Sequence, residues 1–207
     1  MLLVKHKNIY KGIHRPMDLY EKQFKIRKED AIYWWNKSTE LYLSASILWK
    51  DVESNKISRC WDTYKMLMGM SFELMFKAHC VIAKEFNFAG KNGHDLNWLA
   101  QKSRLLTSKQ DKRILDILSE YIRWDGRYPT PLQPDFLKKH WDNQSNAGDP
   151  NKSPFDTQKN EKIVPLTSER DELDLENLSR IWKRFSDVFH SNYTPQSIDE
   201  ILRPETD

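Results

Sequence analysis

The sequence predicts an all-α protein, a set of packed helices with one long polar loop before the last of them. Three observations carry this. Apolar residues recur at three- and four-residue steps over several long stretches, the spacing that gathers them on one helix face. The 207 residues include only 6 glycines and 9 prolines, too few turn residues for a chain of many short strands. No stretch shows a strand pattern, and there is no internal repeat.

Residues 1–29 mix basic and apolar positions without a clear period, and Pro16 interrupts any long element, so they read as an N-terminal extension. The first helix follows Asp30. Ala31, Trp34, Trp35, Ser38, Leu41, Tyr42, Ala45, Leu48, Trp49 and Val52 form its stripe. The second runs from Asp62 to Phe86, with Tyr64, Leu67, Met68, Leu74, Met75, Ala78, Val81 and Ile82 on its main face and a narrow polar remainder. A helix so apolar belongs at the centre of a bundle. On it, Glu73 and Lys77 stand four apart and can pair.

Asp95 can cap a short helix carrying Leu96, Trp98 and Leu99. Thr107 to Gln110 reads as a capping box for the next helix, whose stripe is Ile114, Ile117, Leu118, Tyr121 and Ile122 and whose stop is Gly126. Phe136 to Trp141 is a further short helix. Residues 143–165 are rich in Asn, Ser, Asp, Lys and Pro and form the polar loop. The last helix starts near Ser168, with Glu169, Asp171 and Glu172 at its positive end, and stops at Asn192. Residues 193–207 are a tail, so the helical domain spans 30–192.

Composition narrows the function classes. With 39% hydrophobic and 30% charged residues the chain is an ordinary globular one, long enough to bury a core without covalent staples. A net charge of +3 permits contact with nucleic acid without demanding it. Cys60 and Cys80 stand alone, which argues against a disulfide framework or zinc site and suits a reducing compartment. The apolar start Met1 to Val4 is too short for a secretion signal, and no apolar run reaches membrane-spanning length. A cytoplasmic protein without membrane contact is expected. Glycine-rich phosphate loops, zinc-protease motifs and serine elbows are absent, and the Glu-x-x-His pairs of di-metal bundles are lacking, so neither a metal nor another cofactor is expected. Of the eight tryptophans, Trp34, Trp35, Trp49 and Trp182 lie on core stripes.

Three segments carry a resemblance: Glu73-Leu74-Met75-Phe76-Lys77-Ala78, His94-Asp95-Leu96 followed by Leu99, and Arg127-Tyr128-Pro129. Their order resembles HEPN domains, above all the helical partners and C-terminal domains found with nucleotidyltransferases. The likeness covers roughly residues 30 to 190, with the polar loop as an insertion. It implies an antiparallel helical bundle and a homodimer. It also implies a role directed at RNA or nucleotides, including metal-independent RNA cleavage in bacterial defence or toxin–antitoxin systems. Other members of the family are non-catalytic and bind nucleotides or a partner protein.

Active members carry an Arg and then a His with four to six residues between them, and here five residues separate Arg184 from His190, with Tyr193 three further on. A histidine can move the proton of a ribose 2′-hydroxyl, and an arginine can hold the phosphate through its planar fork. The alternative for His190 is a cation facing the negative end of its helix. Six residues is also about 120° of helical rotation, so the two side chains do not share a face. Arg123, Arg127 and Tyr128 are candidates to clamp phosphate and stack a base, with His94 and Tyr193 beside them. Against this, His94 and Asp95 can simply fix a turn, and Arg127 can pair with an acidic neighbour such as Glu73. Two functions follow: an RNA- or nucleotide-directed protein, with endoribonuclease activity in its catalytic form, or a non-catalytic helical module for dimerisation or partner binding.

Overall fold

The computed structural model describes residues 18–54, 56, 60–86, 92–131, 133–139 and 172–203. Among them there are helices and connections but no strands. No helix among them is long and apolar enough to cross a membrane. The polar loop at 143–165, the N-terminal residues 1–17 and the last four residues lie outside the described set.

The N-terminal extension contains an element that periodicity does not reveal, helix α1 (Leu19–Glu29). Its start is local chemistry: Asp18 and Glu21 cap each other's backbone amides as a capping box. It has no apolar stripe because it buries only Ile26. Asp30 ends α1 and caps α2 (Ala31–Glu53), its carboxylate accepting the amide of Ile32.

The buried residues of α2 are Ala31, Ser38, Ala45 and Val52, spaced by seven. A strict seven-residue seam of small side chains lets a neighbouring backbone come close. That neighbour is α3 (Trp61–Ile82), which returns along α2 and packs on it more extensively than on any other element. Trp49 meets Trp61 and Tyr64 near the connection, at ring separations of 5.0 and 4.7 Å. Farther along, Ser38 and Ser71 are both fully buried and exchange hydrogen bonds. Ser38 Oγ donates to the Ser71 carbonyl at 2.7 Å and Ser71 Oγ to the Ser38 carbonyl at 2.8 Å.

Helix α3 ends at Ile82, four residues before the predicted Phe86. Lys84 adopts a left-handed φ of 58°, and the amides of Lys84 and Glu85 close onto the carbonyls of Val81 and Cys80. This is a Schellman ending with lysine where glycine is usual. The short α4 (Leu96–Lys102) ends the same way at Arg104, also at φ 58°.

Helix α5 (Lys109–Glu120) is capped by Ser108 and Asp111, one residue later than the predicted box. Both frames fit the pattern, but Asp111 offers a charged acceptor where Gln110 offers an amide. The helix then widens into a π turn, Tyr121–Asp125, before Gly126. Gly126 is not a left-handed stop, since its φ is −75°. It is there for space: a Cβ would stand 2.5 Å from Met66 Cβ. Gly69 on α3 plays the matching part, with a Cβ position 2.8 Å from Ile122 Cγ1 and 3.0 Å from the Leu118 carbonyl.

Residues 134–139 form a short helix, α6, which overlaps the predicted segment of Phe136 to Trp141 but starts two residues earlier, and residues 140 and 141 lie outside the described set. Helix α7 (Leu175–Asn192) starts at Asp174 rather than near Ser168. The described residues just before it form a turn, and Asp174 accepts the Asn177 amide at 2.7 Å. Its apolar face, including Leu178, Ile181, Trp182, Phe185 and Phe189, closes the core. Trp182 Nε1 donates to Ser71 Oγ at 2.7 Å, and its ring stacks on Tyr42 at 4.3 Å. The tail contains one more turn of helix, α8 (Ile198–Ile201), which packs on α1.

Two stability predictions follow from this packing. Gly69→Ala gains up to about 1 kcal/mol of helix propensity, but overpacking costs typically about 1–3 kcal/mol. The Leu118 carbonyl is backbone and cannot rotate away, so urea unfolding is expected to show a net loss of about 1 kcal/mol. His79 is buried, its Nε2–H donating to the Phe185 carbonyl at 3.0 Å. Burial pushes its pKa down to about 4, outweighing the Phe185 carbonyl, which acts the other way. Unfolding therefore takes up a proton between about pH 4 and 6.5, and the stability present above that window is lost on acidification. From pH 7 to 4.5 this loss is about 2 kcal/mol, and His79→Gln is expected to remove it from the pH profile of urea unfolding.

Candidate functional site

The apolar surface of α3 is broken by one buried carboxylate. Glu73 is 7% exposed. A carboxylate taken out of water needs partners for both oxygens. Lys77, one turn on, donates to Oε1 at 2.6 Å. The other oxygen, Oε2, faces His94 Nδ1 at 2.8 Å. Since the carboxylate accepts, Nδ1 carries the hydrogen and the far nitrogen, Nε2, is left with its lone pair in the neutral ring. The His94 side chain is 53% exposed.

His94 is held there by the turn leading into α4. Asp95 caps that helix, its carboxylate accepting the Trp98 amide at 2.9 Å. The start of α4 is tied to α5 by Ser119 Oγ, which accepts the Leu96 amide at 3.0 Å, and by Asn97, which donates to the Lys112 carbonyl and to Asp116. The second oxygen of Asp95 meets Arg123 Nη2 at 3.3 Å. Arg123 also donates to Glu120 at 3.2 Å, and Glu120 in turn accepts Trp124 Nε1 at 3.1 Å. Arg123 lies within the π turn, and such turns are frequent at functional sites because they re-aim side chains.

Glu73, Lys77, His94, Asp95 and Arg123 thus form one continuous cluster. Arg127 and Tyr128 sit at the end of the same π turn. Arg127 does not reach Glu73. Its guanidinium folds back onto the carbonyls of Ile122 and Arg123, covering groups that a helix end leaves unsatisfied. Its charged centre stands 5.6 Å from the ring of Tyr128, which is 57% exposed.

The residues on α7 are placed elsewhere. Arg184 pairs with Asp111 at 2.8 Å and so braces the α5 capping box. Burial alone would raise the Asp111 carboxyl, but hydrogen bonds from Ser108 and Arg184 outweigh it and hold the pKa below the usual value. Asp111 stands twelve residues before Arg123, at the opposite end of α5, so their backbones are up to about 18 Å apart along the axis. His190 lies in the last turn of α7, exposed, its ring edge-on to Trp35 at 4.7 Å. It is displaced from Arg184 by about 9 Å along the axis and about 120° around it, so the fold of the chain does not bring them together. Tyr193 is a tie between elements. Its hydroxyl donates to Asp30 at 3.0 Å, and burial followed by that contact pushes the phenol up to about 12.

Sequence spacing exposes the Glu73–Lys77 pair but not its two extensions, Glu73 to His94 and Asp95 to Arg123, which depend on tertiary packing. Glu120 is the residue sequence reasoning passes over. Its only signal is an acidic residue inside an apolar stripe. Among the described residues, no three of His, Cys, Asp and Glu gather closely enough to chelate a metal ion. No protein-family profile, curated protein or solved structure gives a significant match to the chain.

Arg184→Ala leaves the buried Asp111 carboxylate without its cation. Because the Arg184 side chain is 43% exposed, the expected cost is about 1–2 kcal/mol rather than that of a fully buried pair. Urea unfolding at pH 7 should show this loss. It should shrink as pH falls below about 4, through the lowered folded-state pKa, where Asp111 protonates.

Proposed function

We propose that the chain is an RNA- or nucleotide-directed protein built as a HEPN-like antiparallel bundle and acting as a homodimer. One observation carries the reading. Two of the three segments of the resemblance meet through the Glu73–His94 contact, and Arg123, four residues before the third segment, joins them through Asp95. Arg123 supplies a cation paired with Asp95, the residue after the half-exposed His94, and Tyr128 supplies an exposed ring next to Arg127. A cation for phosphate beside a ring for a base is the minimal equipment for single-stranded RNA. In its catalytic form the reaction is metal-independent cleavage at the ribose 2′-hydroxyl, in a defence or toxin–antitoxin role.

A second reading, a helical dimerisation or partner-docking module, is favoured by exposed apolar residues one turn apart. Tyr20 and Phe24 form such a pair on α1, and Leu43 and Ile47 on α2.

Fluorescence anisotropy with short single-stranded RNA, and with labelled nucleotides, tests the first reading. Micromolar or tighter binding that weakens with salt is expected. Tyr128→Ala should weaken it about 5- to 100-fold, the range for one lost stacking contact. Arg123→Ala should weaken it too and flatten the salt dependence. Lys37→Ala, on the exposed side of α2, should not. Absence of binding to RNA and nucleotides alike, with Leu43→Glu/Ile47→Glu dissociating an oligomer, selects the module instead.

A further inference from the structure

We infer that His94 is the general base of this site, aimed by Glu73 and Lys77, and that its substrate is RNA with a free 2′-hydroxyl. The inference rests on the RNA-directed reading above and assigns the chemistry to a residue outside the Arg184–His190 spacing.

Among the described histidines the three environments differ sharply. His79 is buried, and its Nε2 is spent on the Phe185 carbonyl. His190 lies against Trp35 with no carboxylate among its contacts. His94 alone has a carboxylate on one ring nitrogen and an open face on the other. That carboxylate is nine-tenths buried and fixed by Lys77, so it cannot swing away. The result is an orienting acid, a histidine of defined tautomer, and a free Nε2 at the surface, the arrangement that turns a histidine into a proton acceptor. Arg123 is a cation held by Asp95, the residue that follows His94.

The step balances without a co-reactant. His94 Nε2 takes the proton of a ribose 2′-hydroxyl, and the 2′-oxygen bonds to the adjacent phosphorus. The bond from phosphorus to the 5′-oxygen breaks, and its electron pair stays on that oxygen, which takes a proton from water. His94 returns its proton to the solvent. The products are a 2′,3′-cyclic phosphate and a 5′-hydroxyl end. Arg123 meets the charge that develops on the phosphate oxygens. Glu73 is a positioning residue, acting only through His94.

The test uses the full chain, a short single-stranded RNA and a chelator. A 2′-O-methyl analogue of the same RNA, which cannot be cut, reports binding separately. The wild type is expected to bind the analogue and to cut the RNA, leaving cyclic phosphate ends. His94→Ala should lower the cleavage rate at least 100-fold, within the range for loss of a general base, and added imidazole should restore part of it. Glu73→Gln should slow cleavage less. It should also mix the two tautomers of His94, read from its ring nitrogen shifts by NMR, a change that loss of a structural contact elsewhere would not produce. Failure to bind the analogue overturns the RNA-directed reading and the inference with it. Binding without cleavage overturns the inference alone. Cleavage that survives His94→Ala, or that is abolished instead by His190→Ala, places the base on α7 and overturns it as well.

Discussion

The close seam between α2 and α3 is the constraint from which the other placements follow. Ala31, Ser38 and Ala45 keep the α2 side of that seam small, and the reciprocal Ser38–Ser71 hydrogen bonds fix which turn faces which. Two hydroxyls buried in an apolar interface are tolerated only because each finds a carbonyl, so sliding the helices by one turn would strand both. Trp182 bonds to the same hydroxyl of Ser71, so the seam also sets where α7 sits. With its register fixed on one side, α3 offers its other faces to α4, α5 and the π turn.

The polar cluster is a product of that frame. Gly69 stands one turn before Glu73, and its missing side chain lets Ile122 come into contact with α3. Arg123, the next residue, is thereby carried up to Asp95, while Glu73 reaches His94 across the same junction. The buried carboxylate is satisfied from two directions, one local and one distant. Lys77 would be in place in any helix containing this stretch, whereas His94 arrives only when the turn before α4 docks on α3.

The parts of the structure legible in the sequence are those with a local cause. The stripes of α2 and α3 and the caps at Asp30 and Asp95 depend on residues within a few positions of each other, and each is present where the pattern places it. Helix α1 is not legible from periodicity because it buries one residue, and its true signal is the Asp18–Glu21 pair. The ends of α3 and α4 are hidden for a different reason. Lys84 and Arg104 take up left-handed backbone that sequence reasoning reserves for glycine. Of the candidate site, the Glu73–Lys77 pair is legible as a helical neighbour contact. Its continuation to His94 and the link from Asp95 to Arg123 join residues far apart in the chain, and nothing in the spacing announces them. The same holds for Arg184, whose partner Asp111 belongs to another helix.

The π turn has a consequence for chain length. A turn of this kind accommodates one residue more than an ordinary helical turn. Were a single residue lost between Tyr121 and Asp125, the segment could relax to regular helix, four residues completing about the same rotation that five complete now, and everything after it would keep its orientation. The fit of Gly126 against Met66 would survive, while the side chains within the turn would be re-aimed. At this corner of the molecule the backbone can absorb a gap, and its effect would fall on the aim of the turn's own residues.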